Sequence, residues 1–178
     1  LPYFLYSENE SDVYEATQRT IDRIISKDLS TSCFHPDTVA SIPGMLFELA
    51  HMDHCNVKRM AEKFNLSRSK MSEILDALEQ AQLLRRIYPY WPYASEVVSR
   101  KPSKYLFFTP IFRMVYLRLM SDIVSNKHAK YKITEDFIAM YLYEAFRSIG
   151  KWTMMYDSST NGADFILNIN EEDLYGYE

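Results

Sequence analysis

The chain has 178 residues, of which 47% are hydrophobic and 25% are charged. This composition is typical of a folded globular protein and excludes wholesale disorder, and the length suffices for one medium-sized domain or two small ones. The four glycines lack the neighbours that a glycine-rich phosphate loop needs, which excludes a Walker A nucleotide site within this sequence.

The net charge of −4 is unevenly distributed. Between His54 and Lys104 the sequence has ten Lys and Arg but five Asp and Glu, so this segment carries +5 and the remainder −9. A basic segment inside an acidic chain predicts a local anionic partner rather than general attraction to nucleic acid.

The two cysteines, Cys33 and Cys55, form neither a CxxC pair nor a zinc-ligand pattern. Reduced thiols of this kind favour a cytoplasmic protein. No apolar run approaches the roughly 18–20 residues of a transmembrane helix, so no membrane partner is expected. The N-terminal segment is too short and too acidic for a signal peptide, and it does not begin with Met. The sequence is therefore expected to be a piece of a longer protein.

The first predicted elements are helices. An amphipathic pattern predicts a helix over residues 11–29, with Ser11 as its N-cap, and a loop follows over residues 30–37. Asp37 then begins a helical stretch that runs to Ala50 and is interrupted at Pro43-Gly44. This stretch could form one helix or two short helices.

The central part of the chain predicts a winged helix. Asn56 caps a helix over residues 57–64, and Ser67 caps a second helix over residues 68–82 after a tight turn. Two strand-like runs follow, over residues 83–88 and 104–109, separated by a loop rich in proline and aromatic residues. A helix-turn-helix followed by a two-stranded hairpin is the winged-helix arrangement. Pro110 ends the second strand, and residues 111–122 form another helix.

The remaining residues predict one helix and three strands. Thr134 caps a long helix that ends at Ile149 and has an apolar face that includes Phe137 and Tyr141. Strands are predicted over residues 152–156, 163–169 and 174–177. One helix and three strands bury little apolar surface, so this unit is expected to be incomplete or to pack on the winged helix.

Basic and hydroxyl side chains of the second helix and the hairpin are candidates for binding duplex DNA. They are Arg68, Ser69, Lys70 and Ser72 of the helix and Arg100, Lys101 and Lys104 of the hairpin. Such groups suit contacts to phosphates and base edges. Glu73 and Asp76 oppose close approach of DNA, so a winged helix that packs on other protein domains stays open as an alternative.

Three acidic residues form the second candidate site. Glu144 lies in the long helix, Asp164 opens a strand and Glu178 ends the last one. If these carboxylates converged, Asp164 and Glu178 could bind a divalent metal for phosphodiester hydrolysis. Such a site also needs a lysine beyond Glu178, and solvated acids at strand ends remain the alternative.

The order of these parts resembles the C-terminal portion of prokaryotic AAA-type ATPases described as archaeal-type ATPases. Three stretches carry the resemblance: "LPYFLY…TIDRIISKDL", then "NVKRMAEKFNLSRSKMSEILDALEQAQLLRRIYPYW" with "RKPSKYLFFTPIFRMVYL", and "EDFIAMYLYEAFRSIGKWTMMYD…GADFILNINEEDLYGYE". They look like the end of a helical lid, a winged helix, and a terminal domain similar to PD-(D/E)xK nucleases.

The resemblance implies an α+β fold, a mainly helical winged helix-turn-helix followed by a partial restriction-endonuclease-like unit. Its parts are the lid end (1–35), the winged helix (36–124) and a truncated nuclease-like unit (125–178). Glu144, Asp164 and Glu178 correspond to the nuclease motif, although Gly162-Ala163 replaces the usual pair before the Asp.

By this resemblance the chain is a non-catalytic fragment whose winged helix contacts DNA or partner domains and whose terminal domain is structural or degenerate. ATP and Mg²⁺ would bind an absent upstream ATPase domain, which is then a partner, and oligomerisation is compatible with this arrangement. Two alternatives remain, a stand-alone winged-helix transcription regulator and a metal-dependent nuclease in the full-length protein.

Overall fold

A computed structural model describes residues 9–29, 34–90, 102–119, 123, 125–169 and 173–177. Six α-helices are found in these residues: α1 (Glu10–Ile24), α2 (Pro36–His51), α3 (Val57–Lys63), α4 (Arg68–Gln80), α5 (Pro110–Leu117) and α6 (Lys127–Phe146). The strands are β1 (Leu84–Pro89), β2 (Lys104–Phe107), β3 (Trp152–Tyr156), β4 (Phe165–Ile169) and β5 (Asp173–Tyr177). The protein is therefore α+β, as predicted. None of the helices in these residues is both long and apolar enough to span a bilayer.

The first two helices differ from the prediction in their boundaries. Asn9 rather than Ser11 caps α1, because its side chain accepts a hydrogen bond from the Asp12 amide. A π-helical turn over Ile25–Leu29 continues α1. Helix α2 begins at Pro36 and passes through Pro43 as a single helix, so the two-helix alternative is wrong.

The helix-turn-helix follows the predicted boundaries closely. Asn56 caps α3 by accepting from two backbone amides, and the Ser67 hydroxyl accepts from the Lys70 amide at the start of α4. Between the helices Asn65 adopts a positive φ of 54°, a conformation that asparagine tolerates better than most residues. The predicted buried face of α4 is confirmed for the residues Met71, Ile74, Leu75 and Leu78.

A five-stranded sheet joins the hairpin to the terminal strands, in the order β2-β1-β3-β4-β5. Strands β1 and β2 pair antiparallel, with Arg85 opposite Leu106. Strand β3 pairs parallel with β1, at Tyr88 and Pro89, and the antiparallel strands β4 and β5 follow. The terminal unit thus packs on the winged helix through backbone pairing, as expected for a unit with few elements of its own.

A buried ion pair joins the helices behind this sheet. Arg113 of α5 and Asp136 of α6 are both fully buried, and the Arg113 guanidinium donates to both Asp136 carboxylate oxygens over 2.6 and 2.9 Å. Arg113 also donates to the Ala50 carbonyl, and Asp136 accepts from the Phe107 amide. These bonds satisfy the polar groups of the pair and fix α2, α5 and α6 against β2.

Helix α6 departs most from the prediction. It begins at Lys127 with Asn126 as its cap, about two turns before Thr134. Its buried side holds the charged residues Lys132, Glu135 and Asp136. The predicted core residues Phe137 and Tyr141 instead lie on the exposed side.

Candidate nucleic-acid interface

The first turn of α4 presents polar side chains to solvent. Arg68 and Ser69 are exposed, and Ser72, one turn later, is half-buried. The Ser67 cap and the buried opposite face hold this turn at the protein surface. Three of the predicted DNA-binding residues therefore lie where a duplex could contact them.

A groove of about 320 Å³ lies between the start of α4 and the β1–β2 hairpin. Three basic side chains line it, namely Lys58 of α3, Arg68 of α4 and Arg86 of β1. Ser72 and Tyr88 supply hydroxyl groups, and no described residue of the lining is acidic. The groove therefore has the charge and hydrogen-bond donors that suit a phosphate backbone.

Three basic side chains at or near the groove, Lys58, Lys70 and Arg86, have acidic partners. The Arg86 guanidinium lies 2.8 Å from the Asp76 carboxylate, and the Lys70 ammonium lies 3.0 Å from Glu73. Lys70 also lies 4.5 Å from the centre of the Phe34 ring. Lys58 lies 3.8 Å from Glu62 in an exposed pair. Of the three basic groups that line the groove, Arg68 is therefore the one without an acidic partner among the described residues.

The structure buries Lys104 in contact with two carboxylates. Its side chain is buried, and the ammonium donates to Glu135 over 2.7 Å and to Asp164 over 3.0 Å. Two carboxylates therefore already hold this cation, and contact between Lys104 and a phosphate stays a prediction. Arg100 and Lys101 lie outside the described residues.

Lys104 belongs to a charged cluster around an open cavity of about 360 Å³. Glu135 is shared by two buried lysines, since its other oxygen accepts from Lys132 over 2.6 Å. Lys132 also contacts Asp53, 2.5 Å away. The cluster thereby links the loop after α2, strand β2, helix α6 and the start of β4.

The contacts within the cluster favour the charged forms of Lys104 and Asp164. Burial opposes the charge of Lys104, but the contacts with Glu135 and Asp164 raise its pKa above the usual value. Burial also opposes the charge of Asp164, yet hydrogen bonds from Tyr131 and Lys104 hold its pKa below the usual value. Burial and the Lys104 charge lower the pKa of His54, which lines the same cavity.

The three predicted nuclease residues have different surroundings. Asp164 accepts hydrogen bonds from Lys104 and from the Tyr131 hydroxyl, the latter over 2.6 Å. Glu144 is exposed and pairs with Arg147 over 3.0 Å, and Glu178 lies outside the described residues. The described residues contain no group of three His, Cys, Asp or Glu side chains arranged to hold a metal ion. The catalytic and metal-binding roles of these acids stay predictions.

Sequence reasoning missed Glu135 and Lys132 as members of the cluster. A signal for them exists, because Lys132 and Glu135 are three residues apart and share a helix face with Ala129 and Ala139. When charged residues share a helix face with alanines and the rest of the helix is apolar, that face can be the buried one, with its charges paired as ions. The prediction followed the large side chains Phe137 and Tyr141 instead.

Comparison with known proteins supports part of this architecture. Residues 45–88 match the MarR family. The match covers α3, α4 and β1 and supports a winged-helix region in this part of the chain.

One relative extends over nearly the whole chain. The uncharacterized protein MJ1637 of Methanocaldococcus jannaschii is 27% identical over 170 residues. These residues are 94% of this chain but 35% of that protein, so the chain spans about a third of the length of its relative. No solved structure matches the chain significantly.

Proposed function

We propose that this chain is a DNA-binding winged-helix regulator that contacts duplex DNA through the first turn of α4 and the basic groove beside it. The MarR match over residues 45–88 supports a DNA-binding role. The observation that carries the proposal is the groove between α4 and the hairpin, which is lined by Lys58, Arg68 and Arg86 and by no acidic residue among those described. Outside the groove, Glu62 pairs with Lys58 and Asp76 pairs with Arg86. Phosphates bind such a groove through charge, and α4 would present Arg68 and Ser69 to the base edges.

The acidic residues of α4 limit the depth of contact. Glu73 and Asp76 lie in the second and third turns of the helix, and each pairs with a basic side chain. DNA would therefore meet the beginning of α4 and the groove rather than the whole helix. This predicts a small number of phosphate contacts and therefore a shallow salt dependence, because the logarithm of the binding constant falls with the logarithm of the salt concentration by about 0.9 for each phosphate contacted.

The test is fluorescence anisotropy with a labelled duplex at several salt concentrations. Arg68→Ala should weaken binding about tenfold, the loss expected for one charge-assisted hydrogen bond, and should reduce the salt slope by about one. Arg19→Ala removes an exposed arginine of α1 that pairs with Glu15, and this control should leave binding unchanged. Lack of binding at low salt, or an equal loss in both variants, would contradict the proposal.

The resemblance to archaeal-type ATPases supports a finer proposal, in which this module belongs to a longer ATPase. The relative from Methanocaldococcus jannaschii is consistent with that, because this chain spans 35% of it. The coding sequence that precedes Leu1 tests this proposal. A P-loop encoded a few hundred residues upstream would support it, and a start codon close to Leu1 would reject it.

A further inference from the structure

A cavity lies where two parallel strands of the sheet diverge. Strands β1 and β3 pair through Tyr88 and Pro89 of β1, and no earlier pair joins the two strands in the described residues. The first residues of both strands instead line a cavity of about 570 Å³, together with the end of α4 and Tyr143 of α6. We call this cavity the strand cleft. Its volume falls within the range of about 300–1,000 Å³ that is typical of sites for small molecules.

Arg85 lines the strand cleft without an acidic partner among the described residues. The central carbon of its guanidinium lies 3.9 Å from the centre of the Tyr143 ring and 5.0 Å from that of Phe108. The guanidinium donates to the Ala139 carbonyl over 3.1 Å. Burial lowers the pKa of Arg85 below its usual value, although the nearby Tyr143 and Glu79 act in the opposite direction. A bound anion would supply the missing partner, because a guanidinium can donate to two oxygens of a phosphate or carboxylate.

Aromatic rings form one side of the strand cleft. Trp152 and Tyr143 both line it, and their rings meet edge to face with the centres 5.5 Å apart. The ring of Phe146 lies 6.0 Å from that of Trp152 and helps to hold it in place. Trp152 is half-buried, so part of its surface remains accessible. A flat aromatic ring can stack on side chains of this kind.

Glu79 of α4 supplies an acceptor to the same cleft. One of its carboxylate oxygens, Oε1, accepts a hydrogen bond from the Arg86 amide over 3.0 Å. The other oxygen, Oε2, has no hydrogen-bond partner in the part of the chain that the structure describes. A ligand that carries a hydroxyl or amino group could donate to this oxygen.

We propose that the strand cleft binds a small phosphorylated compound of the nucleoside monophosphate class. The phosphate would pair with Arg85, the base would stack on Trp152 or Tyr143, and a sugar hydroxyl or a base amino group would donate to Glu79. A simple aromatic acid would leave the Glu79 carboxylate without a donor, and a sugar phosphate would leave the aromatic side uncovered. The site would use side chains in place of the glycine-rich loop that the sequence lacks. The proposal does not depend on DNA binding by α4.

Isothermal titration calorimetry of the chain with adenosine 5′-monophosphate (AMP) tests the proposal. The dissociation constant should be on the order of 10–100 µM, as expected for a ligand of this size in a cleft that is open to solvent. Adenosine lacks the phosphate and inorganic phosphate lacks the ring, so each should bind at least about tenfold more weakly. In a Trp91→Phe protein Trp152 is the only tryptophan, and its fluorescence should change as AMP is added.

The Arg85→Gln variant separates phosphate binding from the other contacts. It should weaken AMP binding about tenfold or more and leave adenosine binding unchanged, so that the two ligands bind about equally. Arg85→Lys keeps the charge but loses the contact with two oxygens, and it should bind AMP with intermediate affinity. Arg19→Gln is the matched control, since Arg19 is an exposed arginine of α1 outside the cleft, and it should bind AMP as the parent does. Circular dichroism should show that all variants are folded.

Three results would overturn the proposal. The first is a parent protein that shows no saturable heat or fluorescence change with AMP up to about 1 mM. The second is an Arg85→Gln protein that loses affinity for AMP and adenosine equally, or that binds AMP no more weakly than Arg19→Gln. The third is benzoate binding as tight as that of AMP, because benzoate carries a ring and an anion but no donor for Glu79.

Discussion

Replacement of Glu135 by an uncharged side chain of the same shape should clearly destabilise the protein. Its carboxylate accepts hydrogen bonds from the two buried ammonium groups of Lys104 and Lys132, over 2.7 and 2.6 Å. Glu135→Gln keeps the size of the side chain but removes the charge. Each lysine then retains one carboxylate, Asp164 or Asp53.

The expected loss follows from the burial of all three groups. Leaving a buried charge without a partner costs about 3–5 kcal/mol, and because each lysine here keeps one carboxylate we expect the lower end of that range, about 3 kcal/mol. For a chain of this length, 1 kcal/mol shifts the melting temperature by about 2–4 °C, so the variant should melt about 6–12 °C lower. Glu144→Gln, on the same helix, removes an exposed partner of Arg147 and should cost about 0–1 kcal/mol.

Urea unfolding at pH 7, followed by circular dichroism, measures both variants against the parent protein. The double variant Glu135→Gln with Lys132→Met should recover part of the loss, because it removes one of the two cations left short of a partner. A Glu135→Gln protein within about 0.5 kcal/mol of the parent, or one no less stable than Glu144→Gln, would refute the assignment of a buried, shared carboxylate.

Two further predictions concern titration and thiol chemistry. The pKa of Asp164 is lower in the folded protein than in the unfolded chain, so its stabilising contribution is complete above about pH 4 and is lost as the pH falls through the folded value. Asp164→Asn should therefore reduce the free energy of unfolding at pH 7, and its difference from the parent should shrink as the pH falls below about 4; a difference that stays constant as the pH falls would count against the pairing. Burial raises the pKa of the Cys55 thiol to about 11. In a Cys33→Ser background Cys55 should react with a thiol reagent at pH 8 far more slowly in the native protein than in urea, and equal rates would contradict its burial.

Local signals predicted the winged helix well. The caps Asn56 and Ser67 and the apolar face of α4 are all short-range features, so their positions depend little on the rest of the chain. The strands β1 and β2 were recognisable for the same reason, because β-branched, leucine and aromatic residues are concentrated within each.

The charged cluster could not be predicted from local signals. Lys104 and Asp164 are 60 residues apart in sequence, and only the parallel pairing of β1 with β3 brings their strands into one sheet. The prediction for the buried side of α6 is wrong because it assigns the large side chains Phe137 and Tyr141 to the core. In the fold, hydrogen bonds and ion pairs satisfy Glu135 and Asp136, and the aromatic residues remain outside.

The pairing of β1 with β3 also bears on how the gene can be divided for expression. β1 supplies one edge to β2 of the wing and the other to β3, and the Tyr90 amide donates to the Tyr156 carbonyl just beyond that contact. A recombinant fragment that stops after α5 would leave the second edge of β1 open, and unpaired edges promote association between chains. Boundaries for soluble fragments should therefore keep β3, β4 and β5 together with the helix-turn-helix, because an end after β3 would open the edge that pairs with β4.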